Sequence, residues 1–202
     1  MNFRKQLSSK SKFTETLKSQ AEVVKDSLPI PAIKALGVAR GIYWRTLNPL
    51  TFGAAVALTD AEMQKIALIR QTYGDTSVWQ LPGGGLDSID GKEAKKRVQN
   101  GVMNLGSELF EPSAHREAKE EIGLDDEVAM THLFIYESTE KGNRDTLGIF
   151  HAAVDDIYNV VLTPQRSEIA EIRLWDLDSL PTRGASYLGR VALELQSQKP
   201  VL

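Results

Sequence analysis

The run Arg116-Glu117-Ala118-Lys119-Glu120-Glu121-Ile122-Gly123-Leu124 constrains this chain more than any other stretch. On a helix, Glu117, Glu120 and Glu121 stand at i, i+3 and i+4, so their carboxylates project from one face. Like charges placed this way repel, and a surface helix gains nothing from them unless cations neutralise them. Oxygen donors of this kind suit Mg²⁺ or Mn²⁺, which bind carboxylates, waters and phosphate oxygens. Arg116 lies four residues before Glu120 and can hold that carboxylate's rotamer, as metal sites require. Ala118 and Ile122 fall on the opposite side, where they can pack on a sheet. Pro112 suits the first turn of this helix and Gly123 a left-handed stop, so the expected span is Pro112 to Ile122. Glu108, eight residues before Arg116, can approach the same metals from the preceding loop.

Upstream, Leu81-Pro82-Gly83-Gly84-Gly85-Leu86 places three glycines after a short expected strand, Val78 to Leu81. Such backbone can come close to a ligand without steric cost, although a glycine triplet alone fits many turns. Thr51 to Leu58 and Lys65 to Thr72 read as a strand pair joined by a turn at Asp60 to Gln64. Later strand-like runs cover Thr131 to Glu137, Leu147 to Val154 and Glu171 to Trp175, and a closing helix covers Tyr187 to Gln196. Strands outnumber helices and one helix interrupts them, which predicts an α/β fold with a mixed sheet and helices on its faces. Before this domain, Phe13, Leu17, Ala21, Val24 and Leu28 recur at helical spacing until Pro29 and Pro31, and a short helical stretch fits Ala32 to Arg45. The expected division is therefore a helical extension over residues 1–45 and a main domain over 46–202.

The charged run resembles the Nudix box, G-x5-E-x7-R-E-U-x-E-E-x-G-U. The chain supplies Glu108, seven residues, then Arg116-Glu117-Ala118-x-Glu120-Glu121-x-Gly123-Leu124. Leu-Pro-Gly-Gly-Gly-Leu is similar to what commonly leads into that box. Ser167 to Trp175, followed by Leu180-Pro181, is similar to the family's late strand, and the resemblance spans about residues 45 to 195. One departure stands out. The box glycine belongs six residues before Glu108, where this chain has Val102, and the triplet lies more than twenty residues upstream. The simplest account is an insertion over residues 87–106, with Gly84 or Gly85 standing in for the box glycine; the alternative is a broken loop geometry that misplaces Glu108. The insertion carries Lys92, Lys95, Lys96 and Arg97, which fit a lid over a substrate phosphate, a partner contact or a solvated helical excursion.

The resemblance implies an α/β/α sandwich and a hydrolase that cleaves the diphosphate linkage of a nucleoside diphosphate derivative. It implies that Glu117, Glu120 and Glu121 hold Mg²⁺ or Mn²⁺, that Arg116 orients a carboxylate and that Glu108 assists the metal site. The glycines Gly83, Gly84 and Gly85 then shape the substrate approach together with Arg70. The general base has no fixed place in this superfamily; Glu168 is the leading candidate, ahead of Glu140 and Asp145. His115, His132 and His151 do not form a metal-ligand spacing. Trp79 and Tyr73 fit either stacking on a base or core packing. The alternative reading is a catalytically weak module of the same fold that binds a nucleotide or regulates.

Composition narrows the setting. The 202 residues are 42% hydrophobic and 25% charged, values for a globular protein with a core. With no cysteine, disulfides, thiolate zinc sites and cysteine nucleophiles are excluded; this fits a reducing, cytoplasmic setting. No apolar run approaches the roughly 20 residues a membrane helix needs, and the first residues lack the apolar stretch of a signal peptide. The net charge of -3 hides a basic arm: Arg4, Lys5, Lys10, Lys12, Lys18, Lys25, Lys34, Arg40 and Arg45 face only Glu15, Glu22 and Asp26. That arm fits a helix docking on an acidic domain, an organellar targeting peptide or a contact with an anionic surface. The overall acidity argues against a nucleic-acid target, so the expected partner is a small-molecule nucleotide substrate, with a homodimer compatible with the sequence.

Overall fold

The computed structural model describes residues 50–102, 104–125, 127–139, 144–158 and 168–199. The helical extension expected over residues 1–45, and Glu140, lie outside the described residues. The sheet is organised by β1 (Leu50–Asp60), whose small and apolar residues alternate between two cores. Ala54, Val56 and Leu58 enter one; Ala55 and Ala57 enter the other. A strand buried on both faces needs such a nearly continuous apolar run. On one side β1 pairs in parallel with β5 (Arg144–Val154), from Leu50 opposite Arg144 to Asp60 opposite Val154. On the other it meets β2 (Lys65–Gln71) at Thr59 and Ile66, after which β2 runs antiparallel to β6 (Ile169–Asp176). The first half of β1 pairs there with β3 (Gly83–Gly85). With β4 (Met130–Ser138) beyond β5, the order is β4-β5-β1-β2-β6, and β3 sits beside β1.

Two helices cover one face and one covers the other, giving the expected α/β/α sandwich. On the first face, α1 (Ser88–Gln99) buries Ala94, and α2 (Glu111–Ile122) buries Ala114, Ala118 and Ile122. A short 3₁₀ turn (Ser107–Leu109) precedes α2 and buries Leu109. On the second face, α3 (Leu188–Gln198) buries Leu188, Val191, Ala192 and Leu195 against Ala55, Ile66, Leu68, Trp79 and Leu81. No helix among the described residues is long and apolar enough to cross a membrane.

Two local expectations change. The strand expected at Val78 to Leu81 is reduced to isolated bridges, Trp79 to Gly184 and Gln80 to Ile69, and the glycine triplet itself forms β3. Glycine has little strand preference, but here the close approach of β1 demands it. A Cβ on Gly83 would stand 2.3 Å from the Ala54 carbonyl oxygen, and one on Gly53 would stand 2.6 Å from that of Gly84. The segment over residues 87–106, which has no strong apolar period, contains α1. Ala94 anchors that helix to the core. Its exposed face carries Lys92, Lys95 and Lys96.

Candidate metal centre

The box lies on α2, held at both ends by its sequence. Pro112 occupies the first turn, where a missing N–H costs nothing. Gly123 takes a left-handed conformation at φ 71°, and its N–H donates to the Lys119 carbonyl at 3.0 Å. Between these stops, Ala118 and Ile122 are fully buried, and the flank of the helix beside them lays Arg116, Glu117 and Glu121 against β3.

Each glycine of β3 meets one charged residue of α2. The Gly83 N–H donates to Glu121 Oε2 at 2.6 Å. The Glu117 carboxylate lies against the bare α-carbon of Gly84, where a Cβ would fall 2.5 Å from Oε1 and Oε2. The Gly85 carbonyl accepts from Arg116 Nη2 at 2.8 Å. The triplet is thus the surface on which the box side chains are laid out, and any side chain at Gly84 would expel Glu117.

Arg116 joins two of the carboxylates. Its Nη1 lies 2.8 Å from Glu117 Oε1 and 3.4 Å from Glu120 Oε2, and its Nε lies 3.8 Å from Asp87 Oδ1. Burial pulls the guanidinium pKa down, but the charges of Glu117, Asp87 and Glu120 outweigh this and raise it. Glu121 is only 3% exposed, and the short bond from Gly83 is the charge-assisted kind that makes a buried carboxylate tolerable. The three carboxylates of α2 outnumber the one guanidinium beside them, and every donor is oxygen. The set therefore fits a hard divalent cation. Among the described residues, no three acidic or histidine side chains already converge tightly enough to enclose one. Arg116 and the Gly83 N–H draw the carboxylates to themselves.

The remaining candidates fall in several places. Glu108 sits in the 3₁₀ turn and accepts from Arg97 Nη1 of α1 at 2.9 Å; this bond holds its carboxyl below the usual range. Its carboxylate folds back over Gly106. Glu168 precedes β6, and its carbonyl accepts from the Thr72 N–H at 2.8 Å. Arg70 pairs with Glu171 and lies 5.0 Å from the Trp79 ring centroid. Because β2 ends and β6 begins where β1 starts, Arg70 and Glu168 share the sheet end that carries β3. Asp145, at the start of β5, accepts from Thr51 Oγ1 at 2.8 Å.

Trp79 is a core residue, 7% exposed and edge-on to Trp175. His151 is buried with Nε2 2.9 Å from Thr59 Oγ1, and His132 packs edge-on against Phe150. Tyr187 has a buried hydroxyl that accepts from the Leu81 N–H at 3.3 Å. Nothing near Tyr187 in the chain marks it, because its partner lies more than a hundred residues away.

A profile of the NUDIX domain family matches residues 49–194. No curated protein sequence matches the chain. Among solved structures, a MutT NUDIX hydrolase from Burkholderia pseudomallei aligns at 20% identity and a TM-score of 0.51, over 72% of this chain and 96% of its own. A C. elegans Ap4A hydrolase aligns at 15% identity and a TM-score of 0.52, over 73% of this chain and 96% of its own. A bifunctional NMN adenylyltransferase/ADP ribose pyrophosphatase from Francisella tularensis, complexed with AMP and a Mn ion, aligns at 13% identity and a TM-score of 0.54. That match covers 82% of this chain and 48% of the other. At such identities the likeness is one of fold. The profile, by contrast, spans well over half of the sequence, and the chain belongs to the Nudix hydrolase family.

Proposed function

We propose that this chain hydrolyses the diphosphate linkage of a nucleoside diphosphate derivative with Mg²⁺ or Mn²⁺. The supporting observation is the pairing of β3 with α2, which gathers Glu117, Glu121 and Arg116 against three successive glycines. In this reading Glu117, Glu120 and Glu121 hold the metal. When bound, it supplies positive charge to the diphosphate oxygens and lowers the pKa of a water. Arg116 keeps Glu117 and Glu120 in position, and Glu108 supports the site from the 3₁₀ turn. Gly83, Gly84 and Gly85 border the substrate together with Arg70. Glu168 takes the proton of the attacking water. The water oxygen forms a new bond to one phosphorus as that phosphorus parts from the bridging oxygen, which leaves on the other phosphate.

Residues 1–45 are read as a helical extension, residues 46–202 as the catalytic domain and residues 87–106 as an insertion within it. The cytoplasm is the compartment that fits a chain without cysteine. Light scattering checks for a homodimer.

The experiment is a substrate panel run with Mg²⁺, Mn²⁺ or EDTA. It contains ADP-ribose, nucleotide sugars, NADH, dinucleoside polyphosphates, nucleoside triphosphates and RNA bearing a 5′-triphosphate. Glu120→Gln, which removes a charge and keeps the shape, runs beside it. We expect metal-dependent cleavage of at least one member. The variant should lower turnover by about a hundredfold or more, beyond the range usual for residues outside the ligand shell. Absence of cleavage throughout, with unchanged metal affinity in the variant, would favour a nucleotide-binding or regulatory module instead.

A further inference from the structure

The Leu81-Pro82-Gly83 segment is gripped at three consecutive backbone groups by three different elements. Tyr187 Oη accepts from the Leu81 N–H at 3.3 Å. The Pro82 carbonyl accepts from the Val56 N–H of β1 at 2.9 Å, and Glu121 Oε2 accepts from the Gly83 N–H at 2.6 Å. Pro82 has no N–H of its own, so the register of the Gly83 N–H depends on its neighbours. In extended backbone, groups two residues apart point to the same side. The bond that Tyr187 makes to residue 81 therefore sets the direction of the one Glu121 receives from residue 83.

Tyr187 is built for this bond. It is 8% exposed and edge-on to Tyr136, with ring centroids 5.6 Å apart. A phenylalanine would fill the same space. A buried hydroxyl costs free energy unless it is hydrogen-bonded, and this one meets the Leu81 N–H. Burial raises its pKa, and the nearby charges of Glu121 and Asp145 add to the rise, so the phenol stays neutral. It lies within electrostatic reach of the very carboxylate that Gly83 holds.

We propose that Tyr187 is a positioning residue for the metal centre: by fixing Leu81 it aims the Gly83 N–H at Glu121 and so sets that carboxylate. The inference rests on the reading of Glu121 as a metal-holding group.

The test uses the full chain. Amide resonances are followed by ¹⁵N NMR, and Mn²⁺ binding is measured by electron paramagnetic resonance without any substrate. Tyr187→Phe keeps the ring and removes the hydroxyl. We expect the amide resonances of both Leu81 and Gly83 to move, and the Mn²⁺ dissociation constant to rise about tenfold, the lower end of what partners of metal ligands contribute. Tyr136→Phe removes a neighbouring hydroxyl that meets Ser186 Oγ at 2.7 Å, and it should leave Mn²⁺ binding unchanged. A Tyr187→Phe variant that moves Leu81 alone and binds Mn²⁺ within twofold of the parent would overturn the proposal and leave Tyr187 as a packing residue. If Glu120→Gln also left Mn²⁺ binding unaltered while Gly83 moved in Tyr187→Phe, the metal assignment of the box would fall instead.

Discussion

Adjacent residues of β3 make opposite demands on a side chain. At Gly83 an added methyl meets backbone, the Ala54 oxygen at 2.3 Å and the Ala55 α-carbon at 2.6 Å, and backbone cannot yield without moving β1. At Gly84 the three atoms nearest the same methyl all belong to the end of the Glu117 side chain. The two substitutions should therefore separate folding from function. Gly83→Ala should destabilise the domain by about 1–3 kcal/mol or more, as overpacking does. Gly84→Ala should leave a folded protein whose Glu117 carboxylate is displaced, with Mn²⁺ affinity reduced about 10- to 100-fold. Urea unfolding and a Mn²⁺ titration on both variants decide the matter. A Gly84→Ala protein with parental Mn²⁺ affinity would show that Glu117 does not need its place on β3 to serve the metal.

At the scale of elements, α2 depends on its stop. Gly123 is left-handed at φ 71°, and an alanine there would pay the steric cost of that region, about 1–2 kcal/mol. Gly123→Ala should lower the unfolding free energy by that amount, and the urea midpoint by that amount divided by the slope, with the slope itself unchanged, since the same surface is exposed on unfolding. A changed slope would mean that the helix end had refolded instead. This helix was the most legible part of the sequence, because its start, stop, buried stripe and charged face all carry local signals. β1, β2 and β4 to β6 were legible for the same reason.

β3 was not legible, because glycines have no strand pattern and this strand exists only through β1. The helix α1 was equally obscure. Ala94, fully buried, is no periodic stripe by itself, and Arg97 closes the helix with partners at Glu93 and at Glu108, eleven residues away. The site divides along the same line. Glu117, Glu120, Glu121 and Arg116 announce themselves within one helix, whereas Tyr187 gains its meaning only when the fold brings it to Leu81.

For the whole molecule, buried His151 and half-buried His132 weigh on the acid side of stability. Burial holds both His151 and His132 below the ordinary value of 6.5. Thr59 Oγ1 donates to the Asp60 carbonyl at 2.9 Å, so it accepts from His151, which places the proton on Nε2. As pH falls below about 6.5, the unfolded chain takes up protons at these positions more readily than the folded chain. The unfolded state then binds more protons, and stability must fall with falling pH, starting in the window below 6.5.

The depressed carboxyls act later. Glu108 is held down by Arg97. Glu171 is raised by burial, but its bonds to Arg70 and Arg173 overcome this and lower it. Their contribution is present above 4.5 and is lost only as pH drops beneath it. The melting temperature should therefore decline between about pH 6.5 and pH 5, before Glu108 and Glu171 lose their contribution. His151→Gln, which can still donate to Thr59, should flatten that decline. If the variant kept the parental slope, the acid sensitivity would have to reside in groups other than His151, with His132 the next to be replaced.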